Sequence, residues 1–127
     1  VSYDAELRIA WVVHVRLGDD VLERLLARHR EAHRRYHGVA HVAWVVRHVA
    51  ELAAVEPVDD LGALVAAAFY HDAVYDPASA TNERASARLA RRDLAEPGPD
   101  RQQAWTAARV DAVATLIEGT AGHADPP

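Results

Sequence analysis

Apolar residues recur along this chain at intervals of three and four, the period of a helix with one buried face. No segment alternates apolar and polar residues as a half-buried strand would. Leu7, Trp11 and Val15 mark one face of a first helix, from about Asp4 to Leu17, and Gly18 is expected to end it. Asp19 or Asp20 is placed to cap a second helix carrying Val21, Leu22, Leu25 and Leu26. A polar stretch, Arg28 to Arg35, precedes a third helix predicted over about Val39 to Val55, stopped before Pro57. Asp59 and Asp60 are expected to cap a fourth, whose Leu61, Leu64, Val65, Ala68 and Phe69 form an apolar stripe. It is predicted to end near Asp72 to Tyr75, with Asp76-Pro77 as the break. Asn82 is the expected cap of a fifth helix carrying Ala85, Leu89 and Leu94. Pro97-Gly98-Pro99 reads as a loop, and a sixth helix is predicted from about Arg101 to Glu118. The predicted fold class is all-α, a bundle of about five to six helices.

Composition narrows what such a bundle can be. At 127 residues, positions 1–127 read as a single domain long enough to bury a core. Half of the residues are apolar but few are aromatic, and alanine and valine dominate, so closely packed helices with small side chains between them are expected. With no cysteine, disulfides and thiolate metal sites are excluded. Every basic side chain other than histidine is an arginine, which is read as a coding bias and not as function. A formal charge of −5 argues against a general nucleic-acid binder. No apolar run approaches the ~20 residues that a membrane span needs, and no signal peptide is visible, so a cytoplasmic protein is the expectation. The chain begins at Val1 and contains no methionine, which allows for residues upstream.

Four residues carry candidate chemistry: His37 and His41 in Tyr36-His37-Gly38-Val39-Ala40-His41, and the pair His71-Asp72, thirty residues after His41. Imidazole and carboxylate together form a divalent-metal ligand set. His41 falls on the inward flank at the start of the third helix, beside Val42, Val46 and Val49. The apolar stripe of the fourth helix runs directly into His71 and Asp72. An acid at the end of a buried stripe is costly unless it is paired or bound to a cation. The two helix ends could therefore meet around a metal. The alternative is that the histidines satisfy backbone groups in the core and Asp72 is a solvated helix-end acid.

The same residues carry a resemblance. Tyr36-His37-x-x-x-His41 followed by His71-Asp72 resembles the HD superfamily of metal-dependent phosphohydrolases. The stretches Arg35 to Val42, Phe69 to Asp76 and Asn82 to Ala87, with the tail Leu116 to His123, are similar to a bacterial group of predicted metal-dependent HD phosphohydrolases. The Tyr-His-x-x-x-His element also resembles the corresponding segment of cyclic-nucleotide phosphodiesterases. The resemblance implies an HD-type helical bundle, with His41, His71 and Asp72 as ligands of a divalent ion and His37 as the group that protonates the leaving oxygen. It implies manganese, magnesium, zinc, iron, cobalt or nickel without choosing among them. The implied activity is hydrolysis of a phosphate ester, of a nucleotide or another small phosphorylated metabolite. The family completes its site with a distal aspartate in an Asp-x-Asp-Leu-like segment after the Thr-x-x-His element. This chain is expected to lack that segment: Asp111, mid-helix and predicted solvated, and Asp125, in a proline-rich terminus, are the aspartates far enough downstream of His71-Asp72 to substitute, and neither is favoured.

Weaker candidates surround the motif. Asp76 could position a water or a second metal, or simply be a turn acid before Pro77. Glu83 and Ser86 belong to the family-like Asn-Glu-x-x-Ser segment and could touch substrate, although acids and amides also favour helix starts. Arg34 and Arg35, with Arg28, Arg30, His29 and His33, could attract a phosphate or be a solvated face. His123 could approach the phosphate or be solvated. Trp11, Trp44 and Trp105 read as core or interface residues, though Trp44, beside the motif, could stack on a base. His14, His29 and His48 read as structural. A non-catalytic HD-like module that binds metal or nucleotide is the alternative function, and a purely structural helical oligomer a third. A symmetric homodimer is the expected assembly.

Overall fold

The computed structural model describes residues 3–31, 38–76, 78–95 and 105–119. The described residues form six α-helices and no strand, as the apolar period predicts. Helix α1 (Tyr3–Ala10) runs without a break into a π-helical turn, Trp11–Val15. It is followed by α2 (Asp19–His29), α3 (Val39–Val55), α4 (Leu61–Tyr70), α5 (Asn82–Leu94) and α6 (Ala107–Gly119). No helix among the described residues is long and apolar enough to cross a membrane.

Helix α4 is the centre. Its sequence is apolar on every side, which suits a helix that meets protein all round. Ala63 and every residue from Val65 to Tyr70 are buried. It packs against α3, α5, α6 and the π-helical turn. The alanines at 63, 66, 67 and 68 keep its girth small, so its neighbours approach closely. Phe69 takes the edge of the Trp11 ring at a centroid distance of 5.2 Å and an angle of 85°.

Several helix boundaries differ from the sequence expectation. Gly18 does not end the first helix. Arg16 does, in the left-handed conformation (φ 65°), with its N–H on the Trp11 carbonyl five residues back at 2.8 Å. Gly18 instead occupies the extended N-cap of α2. Asp19 and Asp20 therefore lie inside its first turn, where the helix dipole favours acids, and make no side-chain cap. Asn82 opens α5 but does not cap it, because its side chain is engaged elsewhere. Helix α6 starts at Ala107 and not near Arg101; residues 101–104 lie outside the described residues. The Thr106 hydroxyl accepts from the Arg109 N–H at 3.2 Å and closes that start.

Two indoles and one carboxylate tie these ends together. The Trp11 Nε1–H donates to the Leu17 carbonyl (3.0 Å), and the Trp105 Nε1–H donates to the Val15 carbonyl (2.7 Å). Asp60 caps α4 by accepting from the Ala63 N–H at 3.1 Å. It also accepts two bonds from Arg109, at 2.8 and 3.0 Å. The Arg109 guanidinium in turn lies 4.0 Å over the Trp105 ring. Gly62 admits that arginine: a Cβ there would stand 2.7 Å from Arg109 Nη2 and 3.3 Å from the His14 carbonyl oxygen. The starts of α4 and α6 and the end of the π-helical turn are thus one fastening.

The Arg109 hydrogen bonds hold the Asp60 carboxyl below the usual aspartate range; burial opposes this, and the Ala63 and Gly62 amides and the Arg109 charge add to it. A carboxyl lowered on folding stabilises the protein above its unfolded pKa of about 4, and that contribution disappears as pH falls through the folded value. Asp60→Ala should cost about 1–2 kcal/mol at neutral pH, cap and ion pair together. Urea unfolding of Asp60→Asn should show a shallower loss of stability than the parent between pH 4 and 2.

Candidate metal centre

Helix α3 begins under the N-cap Gly38, which puts His41 in its first turn. Helix α4 ends at Tyr70, and His71 is its C-cap, with Asp72 next in the turn that follows. Because α3 packs against α4, the start of one meets the end of the other. His41 Nε2 lies 3.5 Å from Asp72 Oδ2, and His71 Nε2 lies 3.2 Å from the same oxygen. One ligand atom from each of the three residues stands within 4.8 Å of the other two. Their side chains are half-buried, between 19% and 31% exposed, so the group is open to solvent on one side. Among the described residues no fourth histidine, aspartate or glutamate joins the group.

The hydrogen bonding of His71 decides its chemistry. His71 Nδ1 lies 2.8 Å from the Ala68 carbonyl oxygen, which can only accept, so Nδ1 carries the hydrogen. In the neutral ring Nε2 then presents a lone pair, and it presents it to a carboxylate oxygen. Two electron-rich atoms at that separation require a cation between them, either a proton or a metal ion. Burial disfavours the imidazolium, yet the Asp72 hydrogen bond and charge, with the Ala68 carbonyl, hold His71 above the ordinary histidine value. A ring fixed through Nδ1 by a backbone carbonyl, with Nε2 directed at the site, is the arrangement that orients histidine ligands.

The turn bearing His71 and Asp72 is braced from three sides. The buried His29 ring donates through Nε2 to the Phe69 carbonyl at 3.2 Å, a structural role as expected. The Tyr70 hydroxyl donates to the buried Asp93 carboxylate on α5 at 2.8 Å. Ser86, also on α5, accepts from the Val74 N–H at 3.0 Å and donates to the Val74 carbonyl at 3.3 Å. Further along, the Asn82 side chain accepts from the Asp76 N–H (3.0 Å) and donates to the Asp76 carbonyl (2.9 Å).

These contacts sort the sequence candidates. His41, His71 and Asp72 come together. Ser86, expected at a substrate, is instead fully buried, and its hydroxyl is committed to Val74. Asp76 is exposed, and its Oδ1 accepts from the Ala78 N–H at 3.0 Å, a turn bond; its carboxylate does not belong to the close group. Glu83 is half-buried in the first turn of α5 and lines a shallow recess with Thr81, Arg84 and Glu118. Asp111 is exposed and pairs with Arg91 at 2.7 Å. Trp11 and Trp105 are core, whereas Trp44 is 54% exposed, its ring parallel to His41 within 16° at 6.4 Å and close to His48. His37, Arg34, Arg35, His123 and Asp125 lie outside the described residues. Sequence reasoning missed Tyr70 and Asp93. The signal was present: Asp93 interrupts the stripe of Leu89, Ala90 and Leu94, and a buried acid demands a donor.

Comparison with known proteins finds no matching family model, no similar curated protein and no similar solved structure.

Tyr70→Phe should leave the Asp93 carboxylate buried without its phenol donor and cost about 1.5–3 kcal/mol. Denaturant unfolding measures this directly, and Asp93→Asn in the same background should recover part of the loss.

Proposed function

We propose that this chain binds a divalent metal ion through His41, His71 and Asp72 and hydrolyses a phosphate ester of a small metabolite, as the HD phosphohydrolases it resembles do. The observation that carries the reading is the convergence of His71 Nε2 and His41 Nε2 on one Asp72 carboxylate oxygen, with His71 fixed through Nδ1 by the Ala68 carbonyl. The donor set fits: two imidazoles and one carboxylate suit manganese, zinc, iron, cobalt or nickel, and three protein ligands leave positions for water and substrate. Such an ion, when bound, polarises a phosphoryl oxygen and lowers the pKa of water.

The chain's own residues supply the rest. The Ala68 carbonyl keeps His71 in the tautomer that ligates through Nε2. Asp72 sets its charge between the two rings. His71 is held above the ordinary histidine value, so proton and metal compete for the same nitrogen and metal affinity falls as the solution becomes acidic. His37, four residues before His41 and just ahead of the N-cap, is the proposed proton donor to the leaving oxygen, an assignment resting on the motif and on the neutral titration range of imidazole.

Elemental analysis of tag-free protein should find near-stoichiometric transition metal in the parent and at least tenfold less in both Asp72→Ala and His41→Ala. Retention of metal in both variants would overturn the ligand assignment. His37→Ala should keep the metal and lose about 10²–10⁴-fold in phosphatase turnover; unchanged turnover would remove His37 from the mechanism.

A further inference from the structure

We infer that an aliphatic recess between α3, α4 and α6 receives the hydrocarbon part of the substrate whose phosphate lies at the His41–His71–Asp72 group; this rests on the metal-dependent reading of that group. The recess has a volume of about 320 Å³ and is walled by Val45 and Val49 of α3, Leu64 and Ala68 of α4, and Leu116 and Ile117 of α6. His71 lines it too, so one imidazole belongs both to the candidate metal centre and to the recess.

Helical register makes the two continuous. His41, Val45 and Val49 are spaced by four along α3, and His71, Ala68 and Leu64 by three and four along α4. Both rows therefore leave the metal group in the same direction, and the row on α3 covers about 12 Å at 1.5 Å per residue. Apart from His71, every wall named is aliphatic. A nucleobase or sugar placed there would give up hydrogen bonds to water and gain none, a penalty that rejects polar ligands strongly. A hydrocarbon chain loses nothing and covers apolar surface: Leu116 is 42% exposed, and Val45, Val49 and Leu64 are half-buried. The volume sits at the small end of the range for ligand pockets, about 300–1,000 Å³, which suits a short chain. Trp44 is not part of the wall; it stands beside His41 on a neighbouring face of α3, where a base would stack if the substrate were a nucleotide.

Titration calorimetry of the manganese-loaded protein with n-alkylphosphonates tests the assignment. Affinity should climb about two- to fourfold per added methylene, so hexylphosphonate should bind at least about 30-fold more tightly than methylphosphonate. Val49→Phe, which fills the recess, and Leu116→Gln, at its exposed rim, should each bring that ratio close to one. A flat series in the parent would overturn the recess assignment and leave the metal reading standing. Tighter binding of adenosine monophosphate than of hexylphosphonate, lost in Trp44→Ala, would also overturn it. If methylphosphonate shows no metal-dependent binding, the metal reading fails, and the recess is judged on n-alcohols alone. Binding that grows with alcohol length and is lost in Val49→Phe supports an aliphatic site; no length dependence overturns it.

Discussion

Helix α4 has no polar face to offer to water, and the domain is arranged around that constraint. An all-apolar helix must be largely covered, and α3, α5, α6 and the π-helical turn pack against it. Both of its ends must also have their backbone groups satisfied away from bulk water. At the start this is done by Asp60, which accepts from Ala63 and holds Arg109 at the same time. At the finish it is done by two histidines: His29 on the Phe69 carbonyl and His71 on the Ala68 carbonyl. The second bond has a consequence the first does not. His29 is fully enclosed. His71 sits at the rim, so the bond that finishes the helix also turns its other nitrogen outward to Asp72 and His41. The candidate metal centre is the by-product of ending a buried helix with a histidine.

The helices were legible because their signal is periodic and repeated. Each apolar stripe is a sum over many residues, and Leu22, Leu25 and Leu26, or Leu89 and Leu94, carry it without help from the rest of the fold. The juxtaposition of His41, His71 and Asp72 was legible for a related reason. His41 and His71-Asp72 stand at helix ends whose inward faces are marked by Val42 and Val46 on one side and Ala68 and Phe69 on the other, so their meeting follows once the helices pair.

What could not be read depended on partners distant in sequence. The left-handed Arg16 is unexpected at a non-glycine residue. The end of that helix is held by indoles at positions 11 and 105, and the latter contact spans 90 residues. No local pattern reports it. Ser86 and Asn82 were misread for the same reason. Serine, asparagine and glutamate at a helix start look alike whether they cap the helix, touch a ligand or clamp another loop. Only the position of Val74 and Asp76 against α5 distinguishes these roles, and it assigns both side chains to the clamp.

That clamp matters to the candidate site because α5 contributes no residue to the close group. A metal group must be held to within about 0.5 Å to favour one geometry, and residues on a turn do not achieve this alone. His41 is carried by a helix; Asp72 is not. Between Tyr70 and Asp76 the backbone leaves α4 and is caught three times by α5, through Asp93, Ser86 and Asn82. The first of these is a buried charge-assisted bond, the kind that is costly to break and therefore rigid. Helix α5 is in its turn fixed against α6, through packing and through Arg91 and Asp111. Stiffness thus passes from the α5–α6 pair to the Asp72 carboxylate through side chains outside the close group. A variant that loosens this support would be read as a catalytic defect unless stability is measured beside it.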